Sequence, residues 1–260
     1  LLFRDSRKDF GVLIFLLITP IFFHIYGTTY EQKFNFSDTK TYDYKIRVIG
    51  SNIGLDRFYS NEDPIPIIKD LIKISEPETD EKIIFIWPEG ILPDISQKEL
   101  IEYQWLFDDY FNHNHLLIVG INNQSIDNGY VDYFNSFSVY DNNLNLLNYY
   151  NKINLVPFGE FLPFEKFLNK FGLKKITQGY GSFSKGKIQE NVVLNDLNIL
   201  PLICYEIIFP ELTQKANKKT NLIVNISEDG WFGNSIGPHQ HFAKSIFRSI
   251  ENNSFLVRSA

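Results

Sequence analysis

The sequence of 260 residues is poor in sulfur: it has one cysteine and no methionine, not even at position 1. A single cysteine excludes an internal disulfide framework and any zinc or iron–sulfur site built from several cysteines. The lone thiol, Cys204, therefore serves either packing or chemistry. Because the first residue is not methionine, we expect the chain to be a piece of a longer protein.

Basic runs are also missing, since 25 Lys and Arg stand against 31 Asp and Glu and the formal net charge is −6. This acidic balance argues against a dedicated nucleic-acid-binding protein, so we expect no nucleic acid as partner. Internal repeats and low-complexity linkers are absent too. A hydrophobic fraction of 44% excludes a disordered chain, and 260 residues are enough for one large core.

Long uncharged runs are rare, and the one that stands out covers residues 10–30. About 20 helical residues, at about 1.5 Å each, cross the hydrocarbon core of a bilayer. Arg4, Arg7 and Lys8 precede the run. The positive-inside rule therefore places the N-terminus in the cytoplasm and the rest of the chain outside it. A secretory signal peptide has similar parts, but no small-x-small cleavage site follows, so we predict a retained transmembrane helix.

After this run, short apolar stretches alternate with helical patterns. The expected strands are 45–52, 82–87, 115–122, 134–141, 145–153, two within 192–204, 221–227 and 255–260. The expected helices are 63–74, 96–111, 209–217 and 238–253. Several strands are apolar throughout, which is typical of a sheet covered by helices, so we predict an α/β fold.

Three common functional motifs are incomplete or absent in this sequence. Residues 181–188 have the glycine and lysine spacing of a P-loop, but Ile188 cannot ligate Mg²⁺. His239 and His241 are two residues apart, whereas zinc-binding histidines on a helix are usually four apart. No Gly-x-Ser-x-Gly occurs, so a serine-hydrolase elbow has no support. We therefore expect no metal and no cofactor.

The ends of the apolar strands carry the residues with the strongest chemistry. Glu89 follows strand 82–87, Lys152 lies in strand 145–153, and Cys204 ends strand 192–204. Each alone also fits a structural role, as a solvated carboxylate, a surface lysine or a buried thiol. Together they form an acyl-transfer set without metal. A thiol with a usual pKa of about 8.5 needs a general base, and an ammonium can stabilise the oxyanion of a tetrahedral intermediate.

Several motifs extend this set along the chain. They are WPE at 87–89, YNKINLVPFGE at 150–160, CYE at 204–206, DGWFGNSIGPHQH at 229–241, RSIE at 248–251 and FLVRSA at 255–260. They resemble the carbon–nitrogen hydrolase (nitrilase) superfamily, and more narrowly its membrane branch, the apolipoprotein N-acyltransferases. The resemblance covers about residues 45–260 in order.

This resemblance implies a four-layer αββα sandwich. It implies Glu89 as general base, Lys152 as the cation on the oxyanion side and Cys204 as nucleophile. It further implies Glu160 as a glutamate that supports the triad.

Three more residues match the same motifs. Tyr205 and Glu206 match the residues that follow the nucleophile, and Trp231 is a candidate for substrate binding. Tyr205 and Trp231 also fit simple packing, and for Trp231 we favour packing over ligand contact.

The implied reaction moves an acyl chain from a phospholipid to the cysteine sulfur, as a thioester. The acyl chain then passes to the N-terminal amine of a diacylglyceryl-cysteine apolipoprotein. The implied location is the bacterial inner membrane, with the catalytic domain on the periplasmic side. Residues 1–30 would then be the end of a membrane domain, and residues 31–260 a C-terminally truncated carbon–nitrogen hydrolase domain.

Two alternatives remain open from the residues. A nitrilase-family amidase would pass the acyl group to water through the same triad, and a membrane-anchored binding module would use Cys204 only for packing. The Phe-rich, Lys-containing stretch 158–175 fits either a core helix or a segment that admits lipid chains.

The sequence departs from the acyltransferase pattern in two places. Gly90 and Ile91 stand where a small polar residue and alanine are usual. Glu228 replaces the usual asparagine before Asp229, which adds a negative charge near the expected pocket.

Overall fold

The computed structural model describes residues 6–36, 41–59, 63–77, 80–127, 129–163, 182–187, 190–214 and 220–260. The α-helices of these residues are α1 (Ser6–Asn35), α2 (Pro64–Ser75), α3 (Pro210–Gln214) and α4 (Gly237–Asn252). The strands are β1 (Lys45–Val48), β2 (Ile83–Ile86), β3 (His115–Asp127), β4 (Tyr130–Tyr140), β5 (Leu146–Asn151), β6 (Val192–Leu194), β7 (Leu197–Ile203), β8 (Leu222–Ile226) and β9 (Phe255–Ser259). The chain divides into two compact units, and the boundary between them in the sequence lies between Thr41 and Tyr42.

The first unit consists of α1 and its flanks. The helix predicted over residues 10–30 is confirmed, and it extends over 30 residues. Its stretch Lys8–Lys33 is long and apolar enough to cross a membrane, and it is the one such helix in the described parts of the chain. A signal sequence would meet the same criteria of length and composition.

The second unit contains two sheets. The first has the order β1-β2-β3-β4-β5, with parallel pairs β1–β2 and β2–β3 followed by two antiparallel pairs. The second has the order β6-β7-β8-β9, in which β6–β7 is antiparallel and the other two pairs are parallel. The mixed sheets confirm the predicted α/β class.

The two sheets pack face to face, as the alternation of side chains along β2 shows. Ile84 and Ile86 point into a core shared with β7 and β8. Phe85 and the following Trp87 point the other way, into a second core with α2. Because successive side chains of a strand lie on opposite faces, a strand buried on both faces must be apolar throughout, as the sequence IIFI is.

Helices cover both outer faces and complete the predicted αββα sandwich. Residues of α2 pack on the outer face of the first sheet. On the outer face of the second sheet, Leu200 and Ile223 pack with Leu212 of α3. Helix α4 contacts α3 and β9 and buries His241, Ser245 and Arg248.

The helix predicted over residues 96–111 is wrong in type and length. The chain forms a 3₁₀-helix over Leu100–Leu106 only, because Ser96 first bridges to Asn122 of β3 and the backbone N–H of Gln97 donates to the Asn122 carbonyl. Residues three apart share one face of a 3₁₀-helix, so Leu100 and Leu106 face the core together with the partly buried Tyr103.

Two other expectations are only partly tested. Helix α3 ends at Gln214, and residues 215–217 of the predicted helix lie outside the described residues. In the stretch 158–175, residues 164–175 lie outside them too, and so do Gly181 and Ile188 of the P-loop-like segment.

Candidate active site

Three strand ends bring the predicted catalytic residues to one buried place between the sheets. Glu89 follows β2 and Lys152 follows β5, both in the first sheet. Cys204 follows β7 of the second sheet and begins a 3₁₀-helix, Cys204–Ile208. The charges of Glu89 and Lys152 both act on the Cys204 thiol, so the predicted triad comes together.

Lys152 is the most enclosed member, with 1% of the residue exposed. Its Nζ donates to Glu160 Oε1 at 2.9 Å and to Glu89 Oε1 at 3.2 Å. Burial alone would lower the pKa of Lys152, but the carboxylates of Glu160 and Glu89 raise it well above its usual value. The side chain is therefore a fixed ammonium.

Glu89 is held through both carboxylate oxygens. Oε1 accepts from Lys152 and, at 2.6 Å, from Asn135 Nδ2 on β4. Oε2 accepts from the backbone N–H of Glu228 at 3.0 Å. Asn135 also donates to Glu160 Oε1 at 2.8 Å, so one amide joins the two carboxylates.

Sequence reasoning missed Asn135, which is one of three polar residues in the strand segment FNSFSVY and does not stand out among them. It missed Gly120 of β3 as well. A Cβ at Gly120 would lie 2.4 Å from Glu89 Cα and 2.7 Å from the Pro88 carbonyl oxygen. Only glycine lets the backbone around Glu89 approach β3 so closely.

Cys204 adopts a backbone φ of +53°, in the left-handed region that non-glycine residues rarely occupy. Asn225 Nδ2 on β8 donates to the Cys204 carbonyl at 3.2 Å and so supports this turn. Burial, followed by the charge of Glu89, raises the pKa of the thiol to about 12 against the opposing effect of Lys152. The resting residue is a thiol at neutral pH, and a base must remove its proton when it attacks.

Glu160 lies beside the triad, as the resemblance implied. Its Oε1 receives the bonds from Lys152 and Asn135, and its Oε2 accepts from the backbone N–H of Val156 at 2.8 Å. The carboxylate is thus anchored on its own loop while it holds the ammonium.

Glu206 is fully buried and ties the loop after Lys152 to the turn at Cys204. Its Oε1 accepts from Tyr150 Oη and the backbone N–H of Ile153, both at 2.9 Å, and from Asn154 N–H at 3.0 Å. Its Oε2 accepts from Ile203 N–H at 2.9 Å. Burial raises the pKa of Glu206, and the backbone donors and Lys152 oppose that shift.

Tyr205 and Trp231 have different surroundings. Tyr205 Oη donates to the Leu155 carbonyl at 3.0 Å, and the Lys152 ammonium lies 5.9 Å from its ring centre. Trp231 is 39% exposed and packs against Phe58 in a tilted arrangement, with 5.0 Å between ring centres. Trp231 thus packs in an aromatic cluster at the surface with Phe58 and Tyr59. Its contact with substrate stays a prediction.

The two departures from the acyltransferase pattern have local explanations. Gly90 has a φ of +57°, which favours glycine, and Ile91 is part of the core. The extra carboxylate of Glu228 forms an ion pair with the buried Arg57, so the added charge is compensated.

The arrangement supplies the parts of acyl transfer or hydrolysis. A carboxylate can take the thiol proton, an ammonium can stabilise an oxyanion, and the surrounding groups hold both in place. Burial raises the pKa of Asp229, but the nearby His241, whose Nδ1 lies 3.5 Å from Asp229 Oδ1, and Arg258, whose Nη2 donates to the same oxygen, lower it overall.

The comparison with curated proteins confirms the narrower resemblance. The apolipoprotein N-acyltransferase of Rhodopseudomonas palustris is 30% identical over 226 residues, which is 83% of this chain and 42% of that protein. The one of Wigglesworthia glossinidia brevipalpis is 34% identical over 255 residues, which is 93% of this chain and 49% of that protein. The chain thus spans less than half the length of these relatives.

Solved structures share the fold. A nitrilase-superfamily protein of Saccharomyces cerevisiae gives a TM-score of 0.54 at 16% identity and covers 86% of this chain and 78% of its own. A carbon–nitrogen hydrolase superfamily protein of Xanthomonas campestris gives 0.53 at 16% identity, with 84% and 76% covered. At this identity the likeness concerns the fold alone.

A family model described as carbon–nitrogen hydrolase matches residues 83–260. This stretch contains all three strand ends that carry the candidate triad. The chain therefore belongs to the carbon–nitrogen hydrolase family.

Proposed function

We propose that this chain is the catalytic part of an N-acyltransferase that acts on lipoproteins and forms a thioester at Cys204. The observation that carries the proposal is the buried contact of the Glu89 carboxylate with the Lys152 ammonium, 3.2 Å apart, beside the lone thiol. The names of the similar acyltransferases support transfer over hydrolysis.

The first half of the reaction forms the acyl-enzyme. Glu89 takes the thiol proton while the sulfur attacks an ester carbonyl of a phospholipid, and Lys152 stabilises the resulting oxyanion. The intermediate then collapses, the carbon–oxygen ester bond breaks, and Glu89 returns its proton to the departing lysophospholipid alkoxide. Since burial keeps the pKa of Cys204 near 12, proton removal belongs to the attack itself.

The second half transfers the acyl group to nitrogen. The N-terminal amine of a diacylglyceryl-cysteine protein attacks the thioester carbonyl and loses a proton to Glu89. The carbon–sulfur bond breaks, and the thiolate takes the proton from Glu89, which restores the resting site. The products are an amide and the free thiol.

Helix α1 fits this function as a membrane anchor. We assign the unit that contains α1, up to Thr41, to a membrane-spanning part and the unit from Tyr42 onward to the catalytic domain, on the periplasmic side of a bacterial inner membrane. The phospholipid donor then lies in the same bilayer that α1 crosses.

The test is intact-mass measurement of the full chain after incubation with vesicles of a dipalmitoyl phospholipid. We expect a palmitoyl adduct on Cys204, which then moves to a synthetic diacylglyceryl-cysteine peptide. Cys204→Ala and Cys204→Ser should give no adduct, and Glu89→Gln should slow adduct formation by a factor on the order of 10² to 10⁴.

Each other outcome identifies a different function. An adduct that yields free fatty acid without peptide acylation indicates a hydrolase with the same triad. An unmodified thiol in the parent chain indicates a binding module. Acylation of the peptide by Cys204→Ala would contradict the covalent mechanism.

A further inference from the structure

The second carboxylate oxygen of Glu89 depends on one backbone group. Oε1 is shared by Lys152 and Asn135, whereas Oε2 accepts from the N–H of Glu228. A carboxylate bound through both oxygens cannot rotate freely, so the position of residue 228 determines how Glu89 faces the thiol.

The side chain of Glu228 fixes its own backbone. Oε1 accepts from the N–H of Gly230 at 2.9 Å, which caps the 3₁₀-helix Asp229–Phe232. Oε2 pairs with Arg57 Nη2. The residue is therefore held on one side by its own turn and on the other by a distant cation.

Arg57 connects Glu228 to the segment that carries Glu89. Its side chain is 2% exposed, and its Nη1 donates to the carbonyls of Ile53 at 3.0 Å and Gly54 at 2.8 Å. Its Nε donates at 3.3 Å to the carbonyl of Gly90, the residue directly after Glu89. One guanidinium thus contacts both sides of the base.

We propose that Arg57 and Glu228 form a clamp that positions Glu89 against Cys204. Both are positioning residues: they act through Glu89 and touch no reacting atom. The role of the clamp in catalysis rests on the proposed function. The positioning of Glu89 by Arg57 and Glu228 does not depend on acyl transfer. The planar fork of arginine suits this role, because lysine cannot reach several acceptors in fixed directions.

The test measures how strongly the charge of Glu89 affects the reactivity of the Cys204 thiol. Well below the thiol pKa, the alkylation rate with iodoacetamide is proportional to the thiolate fraction, so each unit of lowered pKa speeds alkylation about tenfold. Glu89→Gln removes a charge that raises the Cys204 pKa and should therefore speed alkylation of the full chain at pH 8.

The same Glu89→Gln comparison is then made in Arg57→Gln/Glu228→Gln, which removes both charges together and leaves no unpaired ion. With the clamp lost, we expect Glu89→Gln to change the Cys204 pKa by half as much or less. The factor by which Glu89→Gln speeds alkylation should then fall to the square root of its value in the parent, or lower. Glu228→Gln alone provides a milder second variant if the double variant does not fold. Lys45→Gln/Glu81→Gln removes an exposed ion pair between β1 and the start of β2 as the matched control, and should leave the acceleration unchanged.

The outcomes separate the clamp from the proposed function. An unchanged acceleration in a folded clamp variant overturns the clamp, and so does a parent chain in which Glu89→Gln has no effect. A reduced acceleration in a chain that forms no adduct with phospholipid supports the clamp and contradicts the acyltransferase. If the parent acylates, the clamp variants should form the adduct more slowly at unchanged vesicle binding.

Discussion

At the scale of single residues, the nucleophile occupies an unusual backbone position. A non-glycine residue in the left-handed region costs about 1–2 kcal/mol, and Cys204 is such a residue at the end of a buried strand. Strain of this kind persists only where the surroundings impose it. Here Asn225 holds the Cys204 carbonyl, and Glu206 holds the N–H of Ile203.

This strain predicts that glycine at position 204 gives a more stable protein than alanine, the reverse of the usual order in a strand. We expect Cys204→Gly to be more stable than Cys204→Ala by about 1 kcal/mol, because glycine adopts a positive φ without strain. Urea unfolding followed by tryptophan fluorescence measures the difference. Asn195, with a φ of +52°, should show the same order, and the exposed strand residue Val193 should show the reverse. A more stable alanine at 204 would contradict the strain.

The sequence contains enough to find the triad but not the residues that hold it. Glu89 and Cys204 follow apolar runs, and motifs surround them. Arg57 acts through Glu228, which is 171 residues away in the sequence. Asn135 acts through Glu89, which is 46 residues away. Spacing along one chain does not encode such pairings without strand register.

At the scale of elements, Glu206 joins the end of β5 to the end of β7. Three of its four hydrogen bonds come from the chain around Lys152, and the fourth comes from Ile203. Acceptors that are charged and buried make stronger bonds than neutral ones. This one side chain therefore connects the segment that carries the cation to the segment that carries the nucleophile.

Removing one of these bonds should be costly. We expect Tyr150→Phe to lower the free energy of unfolding by about 1.5–3 kcal/mol, since the hydroxyl donates to a charged acceptor in a buried site. Urea unfolding provides the measurement. Tyr149→Phe changes an exposed neighbour on the same strand and should stay within about 0.5 kcal/mol of the parent. Equal losses at the two positions would exclude a special role for the Glu206 bond.

Element type follows from the sequence where one period dominates. The all-apolar IIFI becomes the buried β2, and the amphipathic 64–75 becomes α2. The stretch 96–111 does not form the predicted helix, although its core residues Leu100, Tyr103, Phe107 and Phe111 have helical spacing, because the backbone of Gln97 bonds to β3 instead. A contact with β3 that the sequence does not reveal thus leads to a short 3₁₀-helix in place of the predicted α-helix.

At the scale of the whole molecule, the proposed orientation is open to a direct test. Arg4, Arg7 and Lys8 precede the apolar run, so the N-terminus should stay in the cytoplasm. Alkaline phosphatase, which is active only outside the cytoplasm, should be active when fused after Thr41. Replacing the three basic residues with glutamate should reduce that activity. A fusion active only with a cytoplasmic reporter would reverse the orientation and remove access to exported lipoproteins.

The placement of the triad on two separate sheets has a consequence for the lifetime of the thiol. The unfolded chain exposes an ordinary cysteine, with a pKa of about 8.5, to an oxidising compartment if it is exported. Once the sheets pack together, burial and Glu89 raise the pKa to about 12, and the thiolate fraction at pH 7 falls to the order of 10⁻⁵. The packing that assembles the nucleophile thereby also slows oxidation of the resting thiol.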